Sequence, residues 1–468
     1  MAVNRWRRIQ VGLGSLALAL ACASANEPTP DDQGVAGPDR GTGGDFGSGG
    51  DNGSSGTTNA AGSAIGRGGS AGGAGSGAGP KGGAAGAGGT AGAPAGSGGM
   101  GGASGSGVGG SPGTGGSPIV VHPGNCANLP PRGTWENVSP PNSGYDATYT
   151  GINAIVLRPD NPSIVFVGAD MAGIFRSEDC GATWSSASIA TGTNAAAIKS
   201  GRTWSLAIDP LVPDVMYAVQ GYGTSGLWKT SNAGVDWTQT LTTNITSAFN
   251  AGGQITSVAL DPTDHTHLVV ESHGAGSGPC SNVTCLGESS DSGATWNIRV
   301  IPRAWSENSG IVLLSKNVWL YTALFGGLWR TADEGSTWQK MSDAYATANY
   351  YEPWLWHDAA GVFYLPTHQQ GLLKSAPNDT SSWTTIANSA SGTVLFASAQ
   401  NLFMGDEFTA SYYTASQSAP GVWTKFPAPP QGGPNSQGGA SVYMSYDAPH
   451  HILYSANFNR GLWRTTVD

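Results

Sequence analysis

The chain has 468 residues, 73 of them glycine, and a formal net charge of -10 from 21 Lys and Arg against 31 Asp and Glu. An acidic protein without a basic stripe is a poor match for phosphate backbones, so we expect no nucleic-acid partner. The low charged fraction of 11%, together with 16 Trp, is typical of an exported β-rich protein that faces neutral ligands such as sugars.

Residues 1–25 have the pattern of an export signal. Arg5, Arg7 and Arg8 precede an apolar run from Val11 to Ala21. The run is too short to span a bilayer and has the length of a signal-peptide core. We therefore predict a signal peptide and a location outside the cytoplasm.

The end of this signal resembles a bacterial lipoprotein box, because Leu18-Ala19-Leu20-Ala21 precedes Cys22. On that interpretation Cys22 is acylated and becomes the mature N-terminus. Ordinary cleavage after Ala21 or Ala25 is the alternative, and the protein would then be secreted. Membrane contact is expected only through this lipid.

Residues 26–120 are predicted to be a disordered Gly/Ala/Ser-rich linker. Residues 31–120 contain 37 of the 73 glycines and a single aromatic residue, Phe46. Such a composition buries too little surface to offset the entropy of ordering the backbone. A flexible spacer of this length suits a module tethered to a cell surface.

The remaining body, residues 121–468, carries an eight-residue repeat of the form Ser/Thr-x-Asp-x-Gly-x-Thr-Trp. The distances between repeat Trp residues, from Trp135 to Trp423, range from 40 to 59 residues. This is close to the roughly 40 to 50 residues of a four-stranded propeller blade. The clear copies are Ser177–Trp184, Ser289–Trp296 and Thr331–Trp338, with a weaker copy at Thr230–Trp237 and decayed copies ending at Trp383 and Trp423.

The two ends of the body complete one repeat. The last Gly-apolar-aromatic-basic element, Gly461–Arg464, has no Trp strand after it, and the strand around Trp135 has nothing before it. The predicted fold is therefore all-β: a single, monomeric seven-bladed β-propeller closed by an N-terminal outer strand in the last blade. Each blade is expected to have four strands, with the fourth strand of the first blade beginning at Trp184.

The octapeptides resemble the Asp-box, or bacterial neuraminidase, repeat across residues 130–468. Asp179, Asp291 and Asp333 are then expected to accept backbone N–H groups in a turn, while Trp wedges between blades. Sialidases share this repeat but add an arginine triad and an Arg-Ile-Pro element. Here Ile301-Pro302-Arg303 has the wrong order and lies in the wrong blade, so sialidase activity is not expected.

Four cysteines follow Cys22, an even number that suggests two disulfides in an exported protein. Cys280 and Cys285 lie in one loop and are expected to pair. Cys126 and Cys180 fall on the same edge of adjacent blades, where a bridge would pin the ring closure. There is no Cys/His zinc spacing and no His-Glu-x-x-His motif, so we expect no metal and no cofactor.

The segments Thr150–Ile152 and Gly168–Arg176 are similar to the opening blade of glycoside hydrolase family 74, the xyloglucan-cleaving endoglucanases. That resemblance implies that Asp170 is a catalytic carboxylate. The family uses two propellers with the second acid on the other one, whereas this chain has one. Asp406 or Glu407 is therefore the expected partner carboxylate, because glycosidases need two.

Loops on the face opposite the octapeptide turns carry exposed aromatics beside amides and carboxylates, which is what sugar rings recruit. The first hypothesis is a glycoside hydrolase acting on β-glucan or xyloglucan-type polysaccharide. The alternative is a non-catalytic module that binds glycan or protein through the same face. The expected substrate-binding residues are Tyr149, Tyr222, Trp305, Tyr351, His368, Gln369, Asn459 and Arg460.

Overall fold

The structure is a computed structural model. The described residues form seven small antiparallel sheets, and these are the blades of a β-propeller, as the repeat predicts. Two short helices, α1 and α2, lie in connections between described strands. The description covers residues 120–145, 151–221, 224–249, 254–305, 309–323, 326–344, 355–368, 370–406, 409–431, 433 and 443–468.

The first three blades follow the order of the chain. Blade 1 contains β2 (Ile152–Arg158), β3 (Asn161–Ala169) and β4 (Gly173–Ser177). After α1 (Ala195–Ser200), blade 2 contains β5 (Arg202–Ile208), β6 (Met216–Gly221), β7 (Gly226–Thr230) and β8 (Thr238–Gln239). After α2 (Thr243–Ala248), blade 3 contains β9 (Ile255–Leu260), β10 (Leu268–Ser272), β11 (Thr284–Ser289) and β12 (Asn297–Ile301).

The other four blades repeat this arrangement. Blade 4 contains β13 (Ser309–Leu313), β14 (Trp319–Ala323), β15 (Gly327–Thr331) and β16 (Gln339–Ser342), and blade 5 contains β17 (Trp356–His357), β18 (Phe363–Pro366), β19 (Leu372–Ala376) and β20 (Asp379–Ile386). Blade 6 contains β21 (Val394–Ala397), β22 (Asn401–Asp406), β23 (Ser411–Ser416) and β24 (Thr424–Phe426). Blade 7 contains β25 (Tyr443–Asp447), β26 (Ile452–Ala456) and β27 (Leu462–Thr466), with β1 (Glu136–Asn137) as its outer strand.

The first strand of each blade lies innermost, and neighbouring first strands contact one another: β2 touches both β5 and β25. These strands are almost entirely buried, so the polar residues within them, such as Asn153, Thr203 and Thr256, are buried too. The second strand then runs antiparallel to the first, and Ile152 pairs with Ala169 in blade 1. The end of each second strand therefore lies beside the start of the first strand, and together these ends form one mouth of the ring.

The ring closes as the sequence predicts, except that the closing strand begins one residue after Trp135. In blade 7, β1 pairs with β27 through Glu136 and Arg464, and Trp135 lies just before the strand. The indole of Trp135 packs against Tyr412 and Phe426 of blade 6. The N-terminal segment therefore fills the gap between the last two blades.

The octapeptides form turns between the third and fourth strand positions. In the first turn, Asp179 Oδ1 accepts the backbone N–H of Thr183 at 2.7 Å, and Asp179 Oδ2 accepts the Thr183 hydroxyl at 2.6 Å. Gly181 has a φ of 86°, which favours glycine. Asp291 and Asp333 make the same two contacts in their own turns. These aspartates thus hold turns in the repeat.

Blade 1 departs from the expected four strands, because no fourth strand pairs with β4. The segment after Trp184 contains bends, and only the backbone N–H groups of Ser185 and Ile189 donate to β4. The hydroxyls of Ser185 and Ser188 accept hydrogen bonds from the backbone N–H groups of Arg176 and Ile174. Side chains thus replace part of the ladder, because a serine-rich segment competes for the backbone groups of its neighbour. The prediction of a strand there was wrong.

Candidate functional site

Asp170 lies at the mouth, directly after β3, where three chain segments meet. Its backbone N–H donates to Gly151 O at 2.9 Å, at the start of β2. The next backbone N–H, that of Met171, donates to Gly201 O at 3.0 Å, at the start of blade 2. These two bonds fix the Asp170 backbone between blades 1 and 2.

The Asp170 side chain is buried, and its two oxygens have different surroundings. Asn153 Nδ2 donates to Oδ1 at 2.5 Å. Oδ2 has no hydrogen-bond partner among the described residues, and the nearest cation, Arg202 Nε, lies 3.9 Å away. A buried carboxyl oxygen without a donor is costly in a protein, and such groups concentrate at functional sites.

Burial raises the pKa of the Asp170 carboxyl to about 7, and the charge of Arg202 opposes this shift. Removing the carboxylate from water disfavours its charged form. Near neutral pH the group therefore exists in both protonation states. A carboxyl group with this pKa can give a proton to a leaving group or take one from water.

The Asn153–Asp170 contact has counterparts in the next two blades. In blade 2, Gln220 Nε2 donates to Thr203 Oγ1 at 2.9 Å, and in blade 3 Thr256 Oγ1 donates to Glu271 Oε2 at 3.2 Å. Each pair joins the start of a first strand to the end of a second strand. Buried polar side chains therefore line this end of three successive blades.

Glu271 lies within β10 and is fully buried. It also accepts hydrogen bonds from Ser309 Oγ and Tyr321 OH of blade 4, at 2.5 and 3.1 Å. Burial raises its pKa to about 7, and these donors oppose the shift. Glu271 therefore joins two blades through three donors and has a structural role. In the sequence, a glutamate inside the apolar run LVVES is the signal that could have marked it.

His273 follows β10 and lies between two indole rings. Its ring centroid is 5.2 Å from that of Trp204 and 5.2 Å from that of Trp305. Burial lowers the His273 pKa to about 4, so the ring is neutral at neutral pH. Trp305 is half-buried, and its Nε1 has no partner among the described residues. Trp305 therefore has an indole ring packed against His273, and its Nε1–H has no acceptor among the described residues.

His368 and Asp406 form a second group at the ends of β18 and β22, in blades 5 and 6. Burial lowers the His368 pKa, and the charge of Asp406 opposes that shift. Asp406 is the last residue of its strand, is 6% exposed, and accepts a hydrogen bond from Thr409 Oγ1 at 2.5 Å. The structure therefore brings these two expected site residues into one electrostatic neighbourhood.

Asn459 and Arg460 lie between β26 and β27, and both are half-buried. Arg460 Nη1 donates to Gly433 O at 3.0 Å. The adjacent Asn457 is fully buried and bonds to Tyr412 OH, which ties blade 7 to blade 6. The other expected site residues lie outside the described residues: Tyr149, Tyr222, Tyr351, Gln369, Glu407 and Cys22.

Two disulfides are present. One joins Cys126 to Cys180, 54 positions apart, and the other joins Cys280 to Cys285, 5 positions apart. The first bridge links the segment before β1 to the octapeptide turn of blade 1. It therefore crosses the seam where the ring closes. None of the helices among the described residues has the length and apolar character needed to span a membrane.

Comparison with known proteins gives one curated relative. A xyloglucanase from Hypocrea jecorina (strain QM6a) is 31% identical over 238 residues, which cover 47% of this chain and 25% of that protein. The match thus spans a quarter of the relative's length. No protein-family model matches the chain.

Two solved structures can be set beside this chain. One is an ancestral GH74 enzyme, 13% identical, with a TM-score of 0.48 over 72% of this chain and 46% of that one. The other is YCF48 from Cyanidioschyzon merolae, 13% identical, with a TM-score of 0.46 over 71% of this chain and 98% of that one. The chain is thus a seven-bladed propeller with similarity to a xyloglucanase.

Proposed function

We propose that this protein is an exported propeller that hydrolyses β-glucan or xyloglucan-type polysaccharide at the mouth containing Asp170. The observation that carries the proposal is the Asp170 carboxyl, which is buried, has a pKa raised to about 7 and has one oxygen that accepts no hydrogen bond from the described residues. The similarity to a xyloglucanase points to the same substrate class.

In this mechanism Asp170 is the general acid. A glycosidase acid must be protonated when the sugar binds and must give its proton to the departing glycosidic oxygen. A pKa near 7 keeps a large share of Asp170 protonated at neutral pH. Asn153 holds Oδ1, so Oδ2 is the oxygen left for proton transfer.

The second carboxylate is proposed to be Asp406 or Glu407. It would act as a base on water or as a nucleophile, depending on whether the two carboxyls are about 6.5 to 9.5 Å or about 5 Å apart. His368 lies close enough to Asp406 for their charges to interact.

Sugar rings are proposed to stack on Trp305 and on the tyrosines of the mouth, because apolar sugar faces pack on aromatic rings. Trp305 is the best-supported of these, since His273 and Trp204 pack behind it. The further proposed contacts are Tyr149, Tyr222, Tyr351, His368, Gln369, Asn459 and Arg460.

We also propose that residues 1–25 direct export, residues 26–120 are a linker and residues 121–468 form the propeller. Acylation of Cys22 would anchor the linker to a membrane and leave the propeller free to reach polysaccharide. The linker composition supports this, because a Gly/Ser-rich chain behaves as a flexible coil. Ordinary secretion is the alternative.

A non-catalytic glycan-binding module is the second candidate. The observation that favours it is that Glu271 and Asp406, buried carboxyls in the second strands of other blades, each accept hydrogen bonds within the fold. In that case Asp170 and Trp305 would bind sugar without cleaving it.

Native gel electrophoresis in the presence and absence of xyloglucan, combined with a reducing-end assay, separates the two candidates. Hydrolysis predicts retarded migration and new reducing ends. Retardation without reducing ends would support the binding module and overturn the hydrolase. If neither occurs with xyloglucan or with related β-glucans, both candidates are wrong.

A further inference from the structure

Four side chains of types that can ligate a metal meet on the side of the ring where its ends join, and two of them, Cys126 and Cys180, are joined in a disulfide. Cys126, Cys180, Asp447 and His450 each offer one ligand atom, and these atoms all lie within 4.8 Å of one another. Within the described part of the chain this is the one place where such donors converge so closely. They come from three separate segments, so no short sequence motif indicates the site.

Well-ordered backbone holds these donors in place. Cys180 O accepts hydrogen bonds from Arg464 Nη1 at 2.8 Å and from Tyr454 OH at 3.0 Å. Asp447 Oδ2 contacts His450 Nδ1 at 2.7 Å. Cys180 and Asp447 are buried, while Cys126 and His450 are partly exposed. Once the disulfide is reduced, a cation can therefore reach the cluster from solvent.

The Asp447–His450 pair alone does not make a site, since similar pairs occur elsewhere. His265 Nδ1 lies 2.6 Å from Asp209, and His267 Nδ1 lies 2.8 Å from Asp261, in turns of blades 2 and 3. Neither pair belongs to a metal-ligating cluster of three or more among the described residues. What distinguishes blade 7 is the addition of two sulfur atoms.

We propose that, when the Cys126–Cys180 disulfide is reduced, these four side chains bind one zinc-class divalent cation that fastens the ring in place of the disulfide. Two thiolates, an imidazole and a carboxylate match the donors and the coordination number that zinc prefers. In a tetrahedral site with bonds of about 2.0 to 2.3 Å, ligand atoms lie roughly 3.3 to 3.8 Å apart. All four atoms lie within 4.8 Å of one another, and the two sulfur atoms, which are bonded to each other in the disulfide, must separate to that spacing after reduction.

The chemistry requires a reductant, for which we take a phosphine. The phosphine gives two electrons to the disulfide and takes one oxygen from water, yielding two thiols and a phosphine oxide. On metal binding each thiol releases its proton to solvent and forms a sulfur–metal bond. The cation is not oxidised or reduced.

The test uses the full chain with Cys22, Cys280 and Cys285 replaced by Ser, so that only the proposed ligands carry thiols. After reduction and removal of the phosphine without air, Co²⁺ is added as a spectroscopic substitute for zinc. We expect thiolate-to-cobalt charge-transfer absorption and strong visible bands that saturate at one equivalent, and we expect zinc to abolish them. His450→Ala should weaken cobalt binding at least tenfold, whereas the matched His265→Ala should not.

Absence of charge-transfer absorption, or equal binding by the His450→Ala and His265→Ala proteins, would overturn the proposal. If the triple-serine background fails to fold, the two histidine variants are compared with all cysteines present, because only His450 belongs to the proposed site. In either background, zinc should raise the Tm of the reduced protein and should leave the Tm of the oxidised protein unchanged. Equal zinc effects on both forms would contradict the proposal.

Discussion

Asn153 Nδ2 lies 2.5 Å from Asp170 Oδ1 and joins the first strand of blade 1 to the end of the second. The contact fixes the carboxyl in one orientation, while Oδ2 accepts no hydrogen bond within the part of the chain that the structure describes. The corresponding pair in blade 2, Thr203 and Gln220, joins the same strand positions at 2.9 Å, with the donor on the second strand and with no charge. Blade 1 thus has the same kind of strand-to-strand contact as blade 2, but in blade 1 one of the two partners, Asp170, is an ionisable acid.

The raised pKa of Asp170 predicts a specific pH dependence of stability. The folded protein holds a proton on Asp170 between about pH 4 and pH 7, where the unfolded chain has released it, so the free energy of unfolding falls as pH rises through that window. Asp170→Asn removes this term. Denaturant unfolding should show the variant gaining about 2 to 4 kcal/mol relative to wild type between pH 4 and pH 8. Glu271 also has a raised pKa, but it is present in both proteins, so its contribution cancels in the difference between them. Parallel pH curves would contradict the prediction.

Arg464 should be the strongest single link across the closure. It is 1% exposed and donates to Glu136 and to Cys180 O. Arg464→Met leaves those acceptors with fewer donors and should cost about 2 to 4 kcal/mol of unfolding free energy. Arg330, at the same repeat position in blade 4, is half-buried and bonds to Thr380 Oγ1. Arg330→Met should cost less than about 1 kcal/mol in the same denaturant assay. Equal losses would show that the closure has no special role.

The two disulfides should contribute unequally. A cross-link over 54 positions removes more chain entropy from the unfolded state than one over 5 positions. Replacing Cys126 and Cys180 by Ser should therefore cost about 4 kcal/mol, and replacing Cys280 and Cys285 about 2 kcal/mol. Denaturant unfolding of each double-serine variant in metal-free buffer measures both losses. The reverse order would mean that native-state contacts outweigh loop length.

The atypical octapeptide in blade 2 permits a test of the turn. Asn232 replaces the usual Asp, and its Nδ2 donates to Asp236 Oδ2 at 2.8 Å. Asn232→Asp places two carboxylates at this contact and should lower the Tm. Adding Asp236→Thr restores the common pattern and should return the Tm to near that of wild type, because Thr can donate to Asp. If the single and double variants melt at the same temperature, repulsion between the two groups is not the cause.

The architecture could be predicted from the sequence because the octapeptide and its Trp recur once per blade, and because Trp135 and Gly461–Arg464 are halves of one unit. The missing fourth strand of blade 1 could not, since it depends on Ser185 and Ser188 bonding to β4. The place of Glu271 also escaped prediction. Its partners Ser309 and Tyr321 lie 38 and 50 positions along the chain, in the next blade.

The candidate site could likewise be predicted in part from the sequence. Asp170 was identified from a resemblance in local sequence, which a single segment can carry. The raised pKa and the fixed orientation of its carboxyl, by contrast, depend on burial, on Asn153 in another strand and on Arg202 in another blade. Such features depend on the register between strands and on the packing between blades. A linear pattern contains neither.

The most direct test of the account is the rate of reducing-end release from xyloglucan by three proteins: wild type, Asp170→Asn and the matched Asp291→Asn. Asp291 belongs to an octapeptide turn, so its replacement controls for a lost carboxylate elsewhere in the ring. The account predicts that Asp170→Asn lowers the rate at least 100-fold with its fold intact by circular dichroism, while Asp291→Asn keeps a rate within a few-fold of wild type. A folded Asp170→Asn protein with wild-type activity would contradict it.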